Sequence, residues 1–195
     1  MAGLQRRPLA ALLLAGIMLS GLPARADFLV DDRASGDARS ALGTSWRLVS
    51  DTVMGGVSRG SMQFATVAGR PCLRLAGTVS LENSGGFVQV SLDLARDGND
   101  FDAGGYAGIE LDVYGNGESY NLHLRTADNW LVWQSYRSAF RADPGWRTVR
   151  LPFSGFAPYR TSAPLDLKKL KRIGLVAIGR EMQADLCLGR MALYR

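Results

Sequence analysis

The sequence predicts an all-β protein, a sandwich or barrel of antiparallel sheets. After Trp46 the chain is a series of short apolar runs separated by Gly, Asn, Asp and Pro. Most of these runs alternate apolar and polar residues, the two-residue period of a half-buried strand. Almost nothing carries the 3.6-residue period of a helix, and many short strands with glycine-rich turns fit a sandwich or barrel. With 195 residues, 47% hydrophobic and 21% charged, the chain suits one domain with a full core.

Residues 1–26 read as a secretory signal. Arg6 and Arg7 supply the charged start, an apolar stretch covers 9–22, Pro23 breaks it, and Ala24 and Ala26 are small residues placed for cleavage. The apolar stretch is short for a membrane span at about 1.5 Å rise per residue, although an uncleaved anchor is the competing reading. Cleavage leaves a domain over 27–195, exported to the periplasm or medium, with no membrane span. It also removes Arg6, Arg7 and Arg25, so the formal charge of +5 falls to +2. The densest basic cluster that remains is 168–172, too little to support a nucleic-acid partner.

Residues 31–45 are polar and small, and read as a surface segment. Strands follow at 72–75 and, after Gly77, at 78–81. Residues 87–92 alternate, as do 109–114, which place Ile109, Leu111 and Val113 on one face. Gly115, Asn116 and Gly117 form a turn into a strand at 120–125. Ala127, Asp128 and Asn129 turn the chain into a strand at 130–136. Residues 146–151 alternate and stop at Pro152; 174–178 are continuously apolar; 186–193 end the chain. Only 167–172 looks helical, about two turns at most, with Asp166 placed to cap it.

Two cysteines, Cys72 and Cys187, leave two readings. In an oxidising compartment they pair, and closing so long a loop contributes about 4–5 kcal/mol in the entropic model. Otherwise they are two separate core thiols.

Material for catalysis is sparse. His123 is the only histidine, and no G-x-S-x-G elbow, zinc spacing or phosphate-cradling loop accompanies it. We therefore expect no enzyme, no cofactor and no metal. His123 shares a strand face with Asn121 and Arg125, opposite Leu122 and Leu124. It reads first as a solvated strand residue, second as a polar contact on an open sheet face, and last as part of a hydrolase. Asp97, Asn99, Asp100 and Asp102 read as a polar turn rather than a calcium loop, since EF-hand spacing is missing. Tyr120, Trp130, Trp133, Tyr136 and Trp146 fall in the central strands. They either pack the core or present rings on which a sugar stacks.

Two glycine-rich segments are sharper candidates. Asp51 and Ser58 bracket Met54, Gly55 and Gly56, and Asn83 precedes Gly85 and Gly86. Each reads either as a rigid recognition loop at the rim or as a turn whose side chain bonds its own backbone.

These segments also carry a family resemblance. Residues 46–58 have the pattern W-x4-D-x-V-M-G-G-x-S, and 83–87 the pattern N-x-G-G-F. Gly115 to Gly117 with Tyr120, the 146–153 segment, Pro158 with Arg160, Leu165 with Asp166, and 173–175 follow in order. Over about 46–193 the chain resembles the complex I intermediate-associated protein domain. The resemblance implies a galactose-binding-domain-like jelly-roll β-sandwich of two antiparallel sheets, and an assembly-factor or chaperone-like role in mitochondrial members. Arg160 is followed by Thr161 where many relatives carry glycine. The expectation is a non-catalytic module binding an unidentified protein through Asp51, Asn83, Arg125, Tyr136 and Arg160. The alternative is a carbohydrate-binding module with an exposed aromatic near Asn121, His123 and Arg125.

Overall fold

The structure, a computed structural model, describes residues 27–195; the signal-peptide expectation lies outside them. Its strands in chain order are β1 (Phe28–Asp31), β2 (Arg47–Ser50), β3 (Arg59–Val67), β4 (Arg70–Val79), β5 (Phe87–Asp93) and β6 (Gly108–Gly115). Then come β7 (Glu118–Thr126), β8 (Ser135–Ala142), β9 (Arg147–Pro152), β10 (Ala157–Tyr159), β11 (Leu170–Ile178) and β12 (Met182–Tyr194). The first sheet has the order β3-β4-β12-β6-β9, with β1 also paired to β12; the second has the order β10-β8-β7-β11-β5-β2. Every pairing is antiparallel. The fold is thus the expected two-sheet jelly-roll sandwich. Among the described residues no helix is long and apolar enough to cross a membrane.

Alternation places the core between the sheets. Val88, Val90, Leu92, Leu122, Leu124, Ile173 and Leu175 of the second sheet face Leu73, Leu75, Ile109, Leu111, Val113 and Leu186 of the first, all fully buried. Each such side chain contributes about 1.5–3 kcal/mol on burial. Their odd-numbered and even-numbered neighbours on β5, β7 and β11 must then face outward.

Four sequence expectations are corrected. Residues 167–172 are not a two-turn helix. Asp166 does cap, accepting from the Lys168 backbone N–H, but only the single turn Leu167–Lys169 forms. From Leu170 the chain pairs on both sides, with β5 and β7, and those ladders outweigh a segment too short to nucleate a helix alone. No strand begins at residue 130: Asn129 accepts from the Thr126 N–H and Gln134 from the Leu131 N–H, so side chains close a loop before β8. The segment 31–45 is not all surface. Asp31 and Arg33 form a buried ion pair at 2.5 Å, and the buried Trp46 indole donates to Asp31 at 2.6 Å. Finally, the separate-thiol reading fails: Cys72 and Cys187 form a disulfide across neighbouring β4 and β12, with Cα atoms 5.4 Å apart.

Candidate functional site

The outward face of the second sheet is a cleft of about 690 Å³. Strand register builds its floor. Arg47 of β2 lies opposite Ser91 of β5, Ser91 opposite Gly174 of β11, Gly174 opposite His123 of β7, and His123 opposite Arg137 of β8. One row across five strands therefore reads Arg-Ser-Gly-His-Arg. Gly174 sits in the middle, and its missing side chain makes the floor deep there. Two residues along one way the row is Gln89, Val176 and Asn121; two along the other way it is Asp93, Arg172 and Arg125.

Loops raise the walls. Val53 and Met54 line the cleft with Ser84, Gly85 and Gly86 at the Gln89 end. At the Arg125 end stand Val132, Trp133, Tyr159 and Arg160. Trp133 is 44% exposed, and Trp130, earlier in the same loop and outside the cleft lining, is 88% exposed. Arg125 holds this second loop, donating to the Asn129 and Leu131 carbonyls at 3.0 Å each. The Arg137 guanidinium carbon lies over the Tyr159 ring, 3.4 Å from its centroid, and Arg137 donates to Ser135.

The two glycine-rich motifs meet on one carboxylate. Asp51 is fully buried and accepts from the Ser58 N–H at 3.0 Å, the Ser58 hydroxyl, the Gly86 N–H at 2.6 Å and the Phe87 N–H at 3.2 Å. A Cβ on Gly56 or Gly85 would collide with that carboxylate. The glycines thus allow close approach, and Gly55, at φ 88°, ends the short turn Asp51–Met54 in the left-handed region. Burial raises the Asp51 pKa, but the Ser58 hydroxyl and the three N–H donors outweigh it, leaving the carboxyl below its usual value.

Not every predicted residue reaches the cleft. Met54, Gly85, Gly86, Arg125 and Arg160 line it. Asp51, Gly55, Gly56, Ser58 and Asn83 shape the rim behind it. Tyr136 must be withdrawn as a contact residue: it is 1% exposed, and its hydroxyl donates to the Ala163 and Pro164 carbonyls. Tyr120 is core too, and Trp146 lies elsewhere, its indole N–H bonded to Val67 and its ring under Arg70. His123 is not a solvated strand residue. Its Nε2 is buried without a partner, and burial first, then Arg137, lowers its pKa to about 3, so it is neutral near pH 7. The acidic turn is engaged with its own surroundings: Asp97 accepts from Asn99, Asp102 from Gly104, and Asp100 pairs with Lys171.

Sequence reasoning missed Arg47, Gln89, Ser91, Arg137, Tyr159, Arg172 and Gly174. The alternation of β5 and β7 carried the signal, because the residues between the apolar ones are the floor. Chemically the cleft offers hydrogen-bond donors, one accessible indole and a neutral imidazole.

A family model described as Complex I intermediate-associated protein 30 (CIA30) matches residues 37–188. Among solved structures, the family 11 carbohydrate-binding module of the cellulosomal cellulase Lic26A-Cel5E of Clostridium thermocellum is similar, with a TM-score of 0.69 at 15% identity, covering 88% of this chain and 95% of that one. A family 11 module from the same organism, in complex with a β-1,3-1,4-mixed-linked tetrasaccharide, has a TM-score of 0.67 at 15% identity, over 86% and 95%. The family 30 module of the cellulosomal cellulase Cel9D-Cel44B, also from Clostridium thermocellum, has a TM-score of 0.53 at 16% identity, over 71% and 90%. At these identities the likeness establishes the fold. No curated protein sequence matches the chain.

Proposed function

The chain belongs to the complex I intermediate-associated protein 30 family, and we propose that it is a non-catalytic binding module holding a carbohydrate chain along the concave cleft. The carrying observation is Trp133, half exposed at the wall of a trough whose floor presents Ser91, Gly174 and His123. Pyranose rings have apolar C–H faces and hydroxyl edges. An accessible indole stacks on the former, and floor and wall donors bond the latter. The structural neighbour solved with a bound tetrasaccharide supports the same reading.

Affinity electrophoresis against a panel of soluble polysaccharides tests it. We expect retention by at least one, and Trp133→Ala to weaken that retention about tenfold, the loss of one stacking anchor. A folded protein retained by none would sink the proposal.

A second reading follows from the rims. Val53, Met54, Trp130 and Val132 are exposed apolar side chains on two loops, a pattern that favours docking of a protein partner. In that case Trp130→Asp, outside the cleft lining, abolishes partner capture and leaves polysaccharide retention intact. We also place the protein outside the cytoplasm. The signal-like residues 1–26 and the Cys72–Cys187 bridge support this location.

A further inference from the structure

We propose that the cleft is selective for an anionic polysaccharide, whose carboxylate or sulfate groups are held by Arg125, Arg137 and Arg160 beside Trp133. The inference rests on the carbohydrate reading of this cleft and adds the chemical class of the chain.

Charge balance carries it. Arg47, Arg125, Arg137, Arg160 and Arg172 line the cleft, and no acidic side chain stands among its walls. Asp93, beside Arg172 at the end of the floor, is already shared by Arg47 and Arg172 at 2.6 Å each. Among the described residues, Arg125, Arg137 and Arg160 have no carboxylate partner. A second basin of about 470 Å³ continues past Arg125 and Arg172; Asp93, Arg96 and Lys171 line it, with Lys171 paired to Asp100 at 2.6 Å. Unpaired positive charge therefore stands at three places in the cleft, Arg125, Arg137 and Arg160, as a ligand with repeated anionic groups requires, rather than at one point.

The cluster is held at a cost that an anion relieves. Burial and the neighbouring Arg172 lower the pKa of Arg125; burial does the same to Arg137, with Arg160 adding to it. Two polar atoms on the same face of β7 are buried without partners, Arg125 Nε and His123 Nε2. A planar carboxylate, or a sulfate, bridges guanidinium groups with paired charge-assisted bonds, and neutral His123 can donate from Nε2 in one tautomer. Trp133 on the same wall separates this arrangement from a bare anion site. It offers a surface for the sugar ring that carries the charge.

The full chain is run in affinity gels at low and at physiological salt. The probes are polygalacturonate and alginate as carboxylate sources, dextran sulfate as the sulfate source, mixed-linked β-glucan and dextran as neutral chains, and poly-L-glutamate as a non-sugar polyanion. We expect one anionic glycan to bind at least about tenfold more tightly than either neutral chain, with affinity falling as salt rises. Whichever of the two sources binds identifies the group recognised. Arg137→Gln with Arg160→Gln removes that preference, whereas Trp133→Ala weakens every glycan. Arg160 is on an exposed loop, so Arg160→Gln alone, expected to reduce the preference, keeps the test readable where the double variant misfolds. Equal or tighter binding of a neutral chain overturns the inference and leaves the carbohydrate reading standing. Poly-L-glutamate binding as tightly as the anionic glycans also overturns it, since charge alone then suffices. Retention of no polysaccharide overturns both.

Discussion

Asp51 shows what a single buried carboxylate does for this family's sequence pattern. The D-x-V-M-G-G-x-S and N-x-G-G-F blocks lie far apart in sequence, yet Ser58, Gly86 and Phe87 all donate to the same side chain. The placing of those glycines has a steric reason, because Gly56 and Gly85 lie against the carboxylate where a Cβ would not fit. Asp51→Asn places an amide against three N–H donors and is expected to cost on the order of 3 kcal/mol in urea unfolding. The folded pKa lies below the unfolded value of about 3.9. The Asp51 contribution is therefore complete above that value and lost as pH falls through the lower folded pKa. Acid unfolding of the wild type should be steeper below about pH 4 than that of Asp51→Asn; superimposable acid limbs would remove Asp51 as the anchor.

At the level of one strand, β11 explains the shape of the cleft. It pairs on both sides, which commits it to the middle of the sheet. Ile173 and Leu175 fill the core, while Gly174 leaves the floor open between Ser91 and His123. Gly174 does not need the left-handed region. A Cβ there is tight only against the flexible end of Gln89, at 3.0 Å, and makes ordinary contact with Val176 and His123. Glycine is also a weak strand residue. Gly174→Leu is therefore expected to fill the floor and abolish polysaccharide retention while changing unfolding free energy by less than about 1 kcal/mol. Retention at wild-type strength would mean that the ligand does not lie over this row.

The whole molecule is two sheets closed on a shared core, with long-range pairing throughout. Bridging Cys72 to Cys187 shortens the unfolded chain's freedom across most of the domain. Cys72→Ala with Cys187→Ala is expected to cost about 4–5 kcal/mol in urea unfolding by the loop-entropy model. Thiol titration of the denatured, unreduced protein should find no free thiol; two free thiols would show that the bridge does not form.

Alternation along 87–92, 109–114 and 120–125 pointed to the class of fold, since a period of two with one apolar side, in a chain with almost no helical period, leaves sheet against sheet to bury it. The same alternation placed Arg125 and His123 on one outward face; the glycine blocks read as rim loops or self-bonded turns from their own residues. It failed at 167–172 and 130–136, where pairing partners and local side-chain bonds decided the backbone, and at Tyr136, whose burial depends on a distant loop. The binding row lay beyond any local reading. Arg47, Ser91, Gly174, His123 and Arg137 come from five strands scattered along the chain. Which strand lies beside which, and in what register, follows from the packing of both sheets on one core. Only that packing made neighbours of residues whose own segments say nothing of one another.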